Sequence, residues 1–222
     1  MADTDLLVVS RGGVQYKITR GELDAYLKDG YTVVDSMLFN GTNAYLGRTP
    51  AVAGNRQTFT WSGWVKRGKL GTNQCLFGTG TESSFFDQIT LSDDDTLDFI
   101  TYPAGVTSRK KTTQVLRDPS AWYHIVCVYD TTNVTADDRM RIYINGERVT
   151  DFSSSTNPSL NYSSPYFNAA RFTTIGRLVP ATGYTNWFNG YLSEVNFIDG
   201  QALEPSAFGE TGKFGEWLPK KY

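Results

Sequence analysis

The sequence predicts an all-β protein: a two-sheet jelly-roll sandwich preceded by a small unit made of a hairpin and a short helix. Three observations lead there. From about residue 37 onward, short apolar runs recur between clusters of Gly, Asn, Asp and Ser, which is the punctuation of strands and turns. Helical periodicity is absent after residue 30, so no amphipathic helix is available to cover a sheet. Asn145-Gly146 stands between two alternating runs, and Asn-Gly supplies the positive φ values that a two-residue hairpin turn needs. Many strands with such turns and no covering helices must pack sheet on sheet.

The N-terminal unit comes first. Leu6, Leu7, Val8 and Val9 form an apolar run, Ser10 to Gly13 make a turn, and Val14 to Ile18 alternate. Thr19-Arg20-Gly21-Glu22 has the capping-box pattern and predicts a helix over 20–27, stopped at Asp29-Gly30. A hairpin and two helical turns cannot bury much surface alone. Leu6, Leu7, Val8, Val9, Val14, Tyr16 and Ile18 are therefore expected to dock on something else, and residues 1–35 are read as an attachment unit.

Strands are expected near 37–40, 44–48, 58–66, 74–78, 86–92, 96–102, 122–129, 139–145, 148–152, 171–177 and 187–198. In the third, alternation puts Phe59, Trp61 and Val65 on one face and Trp64 on the other. Met140, Ile142 and Ile144 likewise share a face. The long loops are expected at 103–121 and 153–170, with a shorter one at 180–188, and residues 206–222 form a tail packing on the sandwich, 36–205, or on a neighbour.

Composition narrows the function classes. A formal net charge of -2 gives no electrostatic reason to coat nucleic acid. No stretch approaches the ~20 apolar residues of a membrane span, and the acidic, briefly apolar N-terminus lacks the pattern of a secretory signal. Cys75 and Cys127 both fall in apolar runs and read as small buried hydrophobes.

Several blocks in order resemble the laminin-G-like branch of the concanavalin A-like lectin/glucanase superfamily: Leu38-Phe-Asn-Gly-Thr-Asn-Ala-Tyr-Leu46, Phe59 to Lys66, Trp122 to Asp130, Ile142 to Gly146, Thr174-Ile-Gly176 and Phe188 to Phe197. The resemblance covers roughly 37–205. The phrase FIDGQALEPSAFGE at 197–210, the ending GEWLPKKY and the opening DLLVVSRGGVQYKIT also resemble structural proteins of marine tailed bacteriophages. That second resemblance implies a virion protein, assembled in a host cytoplasm, fixed to other virion proteins through its N-terminal unit, homo-oligomeric, and facing host-surface glycan.

Glu194 is the one enzyme candidate. Retaining glycosidases need two carboxyl groups about 5 Å apart, and on one strand face these would alternate; positions 192 and 196 are Leu and Asn. The pair is missing, no catalytic residue is assigned, and Glu194 is expected to hold neighbouring structure. His124, the only histidine, has no nucleophile elbow and is expected to be structural. Acidic turns at Asp93, Asp130 and Asp137 are calcium candidates, since that cation takes several oxygen ligands; the same composition suits solvated turns. Arg109-Lys110-Lys111 and Lys220-Lys221 are expected on a solvated surface. Loop aromatics beside amides, namely Tyr162, Tyr166, Tyr184 and Trp187 with Asn186, are the expected glycan or partner contacts, because rings stack on sugars while amides satisfy hydroxyls. Three readings follow: a virion structural protein with a glycan-binding sandwich, a purely structural cement protein, and a glycan-degrading enzyme, against which the missing carboxylate argues.

Overall fold

The computed structural model describes residues 6–11, 14–19, 31–82, 84–105, 107–178 and 186–222; the helix expected over 20–27 lies outside them. The strands β1 (Leu6–Arg11) and β2 (Val14–Thr19) form the expected antiparallel hairpin, in a register running from Leu6 opposite Thr19 to Arg11 opposite Val14.

The sandwich is built from β3 (Met37–Asn40), β4 (Leu46–Arg48), β5 (Thr58–Arg67), β6 (Gln74–Glu82), β7 (Phe85–Leu91), β8 (Thr96–Pro103), β9 (Ser108–Val115), β10 (Tyr123–Asp130), β11 (Met140–Ile144), β12 (Glu147–Arg148), β13 (Phe152–Thr156), β14 (Thr173–Ile175) and β15 (Asn189–Asp199). A six-stranded antiparallel sheet has the order β12-β11-β10-β5-β15-β3, and a seven-stranded one the order β13-β9-β8-β7-β6-β14-β4. A last small hairpin joins β16 (Gly209–Thr211) to β17 (Trp217–Pro219).

Period-two alternation places the core as the sequence predicts. Phe59, Trp61 and Val65 of β5, with Met140, Ile142 and Ile144 of β11, join Leu76, Ile89, Leu91, Leu97 and Phe99 from the opposite sheet in one cluster. Each such side chain, once buried, contributes on the order of 1.5–3 kcal/mol. Asn145 and Gly146 take φ values of 51° and 83° and connect β11 to β12 with Ile144 opposite Glu147. Both cysteines are buried and free.

The polar stretch 103–121, expected as a loop, contains β9, and the basic segment within it is not solvated decoration. Arg109 pairs with Asp98 on β8 at 2.7 Å, and Lys111 with Asp94 at 2.6 Å. Lys110 is buried, donates to the Ser155 hydroxyl on β13 and lies 4.9 Å from the Phe152 ring centre. Cross-strand charge pairs make a strand out of residues with little β propensity. The stretch expected as one strand at 148–152 divides between β12 and β13, which belong to different sheets.

On its outer side, the six-stranded sheet carries the C-terminal residues. Phe208 packs with Val126, Val128 and Tyr143. The Trp217 ring lies where a Cβ on Gly146 would approach to 2.5 Å, so that turn requires glycine for space as well as for its φ.

Candidate carbohydrate-binding site

The segment after β14 and the segment before β15 are tied together at their bases. Gly176 N–H donates to Leu76 O, Phe188 N–H to Gly176 O, and Cys75 N–H to Asn186 O at 2.8 Å. This brings Arg177 and Trp187 side by side. Tyr45 joins them from the turn between β3 and β4, a turn held by Asn40 Oδ1, which accepts the N–H groups of Thr42, Asn43 and Ala44. The Arg177 guanidinium carbon lies 3.9 Å from the Tyr45 ring centre and 5.2 Å from the Trp187 ring centre. The two rings are 5.9 Å apart and tilted by 59°. Tyr45 is 41% exposed. A guanidinium held on aromatic faces is fixed by cation–π attraction and keeps N–H donors for hydroxyl or carboxylate groups. Its Nε is buried, with no hydrogen-bond partner among the described residues.

Of the expected contact residues, Trp187 is in this cluster, Asn186 precedes it with its carbonyl bonded to Cys75 N–H, and Tyr184 lies outside the described residues. Tyr162 and Tyr166 are elsewhere. Thr131, just past β10, donates to Tyr162 O at 2.8 Å, and Gln57 Nε2 to Asn161 O. That loop therefore sits at the Thr58 end of β5, whereas Trp187 precedes Asn189 at the Arg67 end, where Gly190 pairs with Arg67. The ten residues of β5 separate the two by roughly 30 Å, so the expected contact residues do not lie on one edge. Tyr166 is buried at 8% exposure. Its loop is pinned by Asp87, whose Oδ2 accepts the Ser164 hydroxyl and the N–H groups of Tyr166 and Phe167; burial pushes that carboxyl up to about 6 despite these donors. Tyr45 and Arg177 were missed in the sequence, where the one is part of a fold block and the other an isolated cation.

Two of the three acidic candidates engage protein groups. Asp130 Oδ1 accepts the N–H and hydroxyl of Thr132. Asp137 takes the Asn157 amide and lies 3.6 Å from Lys110. Asp93 is exposed on the turn between β7 and β8, its N–H bonded to Asn73. Two residues on, Asp95, at positive φ, pairs with the fully buried Arg67 at 2.9 Å and with Arg117 at 3.1 Å. Among the described residues, no group of three or more His, Cys, Asp or Glu side chains is placed to hold a metal ion. No helix among them is long and apolar enough to cross a membrane.

The profile of the concanavalin A-like lectin/glucanases superfamily, in its laminin-G-type form, matches residues 40–207. The chain belongs to that superfamily. No curated protein matches it. Among solved structures, a putative carbohydrate-binding protein from Bacteroides ovatus is similar at 18% identity and a TM-score of 0.55, over 84% of this chain and 58% of that one. Domains LG4-5 of the mouse laminin α1 chain give 13% identity and 0.53, over 78% and 46%. The heptameric pentraxin of Limulus polyphemus gives 16% and 0.51, over 73% and 74%. At these identities the likeness is one of fold.

A superfamily that includes glucanases makes the carboxylates of β15 worth placing. Glu194 sits at a β-bulge, where Ser193 pairs with Trp64 and Asn196 with Ser62, and has a φ of 47°. Its carboxylate accepts the Tyr31 hydroxyl at 2.8 Å, which holds that phenol above its usual pKa. Beside it, the Ser193 hydroxyl donates to Asp35 O. Glu194 thus holds the segment that leads into the sandwich. His124 is buried between Trp64, whose ring stacks on it at 4.9 Å, and Trp217, whose Nε1–H donates to Nδ1 at 2.9 Å. An indole nitrogen only donates, so the imidazole is the neutral tautomer with its proton on Nε2, which donates to Ser62 Oγ at 2.9 Å.

Proposed function

We propose that this chain is a non-enzymatic virion structural protein of a tailed bacteriophage, whose sandwich binds host-surface glycan through Tyr45, Arg177 and Trp187. The observation that carries the glycan reading is the guanidinium seated on two aromatic rings beside a Tyr45 that is 41% exposed. A pyranose stacks its C–H face on such a ring, and the arginine N–H groups satisfy hydroxyls or a sugar carboxylate that stacking would otherwise leave unpaired. Membership of a lectin-containing superfamily and the carbohydrate-binding protein of similar fold support the same class. The virion reading rests on the likeness of both chain ends to phage structural proteins. In it, the apolar N-terminal hairpin joins the chain to other virion proteins, with the sandwich in a homo-oligomer facing outward.

A second reading, a cement protein without glycan, draws support from the edge strand β3. There Met37 and Leu38, on opposite faces of the strand, are 46% and 57% exposed, and Val34 just before it is 85% exposed; exposed apolar side chains at a sheet edge suit a protein neighbour.

The test is binding to immobilised host-surface glycans. Wild-type protein is expected to bind, Tyr45→Ala and Trp187→Ala to lose at least about tenfold, as for the loss of an aromatic anchor, and all three to unfold at similar temperatures. The same preparations are expected to release no reducing sugar from the polysaccharide. Wild-type-like binding by both variants, or no glycan binding at all, overturns the glycan assignment and leaves the cement reading.

A further inference from the structure

A cavity of about 580 Å³ lies between the two sheets. It runs along one side of the sandwich, because β14 and β4 are the last two strands of the seven-stranded sheet and β15 is the last but one of the six-stranded sheet. Val195 and Phe197 of β15 form one wall; Phe77 of β6, Ile175 of β14 and Leu46 of β4 form the other. Leu46 is 46% exposed, and Val52, which also lines the cavity, is 77% exposed. Ile175, Val195 and Phe197 pack against the core cluster yet are only partly buried. Apolar walls left open in this way gain free energy when an apolar molecule displaces their water.

One cation stands on this apolar face. Arg48 lies two residues beyond Leu46 on β4, so strand alternation puts both on the same side of the sheet. Leu46 is opposite Ile175, Arg48 is opposite Thr173, and Ile175 is opposite Phe77; partners across a ladder share a face. Leu46, Ile175 and Phe77 line the cavity, and Arg48 lines it with them. Arg48 is exposed, and among the described residues its guanidinium has no hydrogen-bond or ion-pair partner. The lining also includes Asp199, but its carboxylate is already engaged: Oδ1 accepts the Asn55 N–H at 2.7 Å and the Asn168 amide at 2.6 Å.

We propose that this cavity binds an amphiphile with a single carboxylate, of the build of a medium-chain fatty acid. Its apolar body lies between the sheets and its carboxylate pairs with the Arg48 guanidinium, whose parallel N–H groups match two carboxylate oxygens. The size falls in the range of small-molecule pockets, roughly 300–1,000 Å³. A sugar would bury hydroxyls against apolar walls that cannot pair them, and an amine would bring a second cation to Arg48. Neither Tyr45, Arg177 nor Trp187 lines the cavity, so the site is separate from the glycan cluster and does not depend on it.

The test titrates the full chain calorimetrically at pH 7 with decanoate, decanol and decyltrimethylammonium, each below the concentration at which it aggregates. Decanoate is expected to bind saturably, one molecule per chain, and to shift the methyl NMR signals of Ile175 and Val195. Decanol is expected to bind about tenfold more weakly, the scale of one hydrogen bond to a charged group, and the ammonium compound more weakly still. Arg48→Gln alters an exposed side chain and leaves the apolar walls intact; it is expected to bring decanoate down to the level of decanol and to leave decanol unchanged. Absence of saturable decanoate binding, unmoved Ile175 and Val195 signals, or an ammonium compound that binds as tightly as decanoate overturns the proposal. So does equal decanoate binding by wild type and Arg48→Gln, which leaves the arginine as a charge that keeps an edge strand from pairing. Glycan binding is read with other ligands and other variants, so failure here and failure of the glycan assignment are told apart.

Discussion

His124 couples the C-terminal hairpin to pH. It is buried at 1% exposure, and burial lowers its pKa from 6.5 to about 4. The folded protein therefore resists a proton that the unfolded chain accepts. Protonation would also place an N–H at Nδ1 against the donating Trp217 indole. The stabilisation belonging to the neutral ring is fully present above about pH 6.5 and is lost as pH falls through 4. With those two values, linkage gives a loss of roughly 2 kcal/mol between pH 7 and pH 4.5. Asp87 acts in the opposite sense. Its folded value of about 6 lies above its ordinary 3.8, so its share of stability is present below about pH 4 and is lost as pH rises through 6. The two windows overlap, and the total pH profile does not isolate the histidine. The difference between wild type and His124→Gln does, since the variant keeps Asp87. Urea unfolding of both at pH 7 and 4.5 is expected to show wild type losing about 2 kcal/mol more than the variant over that interval. A gap between the two proteins that stays constant within about 0.5 kcal/mol, the usual limit of such comparisons, refutes the tautomer and burial argument.

Two further outcomes concern the ion pair under the acidic turn and the attachment unit. Asp95→Asn keeps a residue tolerant of positive φ but leaves the Arg67 cation buried without its counter-charge; a loss of about 3 kcal/mol is expected in urea unfolding, and a loss under about 1 kcal/mol would show that the bonds from Arg67 to Leu116 O and Lys69 O suffice alone. A chain begun at residue 36 is expected to give a cooperative thermal transition, because the core cluster starts at Phe39, and to be missing from assembled particles. Its incorporation at normal copy number would remove the anchoring role of residues 1–35.

Much of the fold was legible because alternation is a local signal. Phe59-Thr-Trp61 and Met140-Arg-Ile142 state which face is apolar, and Asn145-Gly146 states where the chain reverses. The missing carboxylate at 192 and 196 was equally plain, and the bulge at Glu194 gives that residue a different task. Strand β9 was not legible. Its Ser-Arg-Lys-Lys-Thr-Thr-Gln-Val reads as a solvated loop until Asp98, Asp94 and Ser155 are known to lie opposite it. Tyr166 was misplaced for a related reason: an aromatic in a Ser/Asn-rich loop looks exposed, and nothing nearby in the chain announces that Asp87 draws the loop inward.

By itself, the sequence determined the fold class, the inward-facing residues, the hairpin at 145–146 and the absence of an acid two positions either side of Glu194, since each depends on residues a few positions apart. The tertiary structure alone decided that Tyr45, Arg177 and Trp187 meet while Tyr162 stands at the other end of β5, and that Asp87 draws the loop of Ser164, Tyr166 and Phe167 inward. Those outcomes depend on which strands become neighbours, and backbone hydrogen bonds join strands far apart in the chain whose local side-chain patterns do not name their partners.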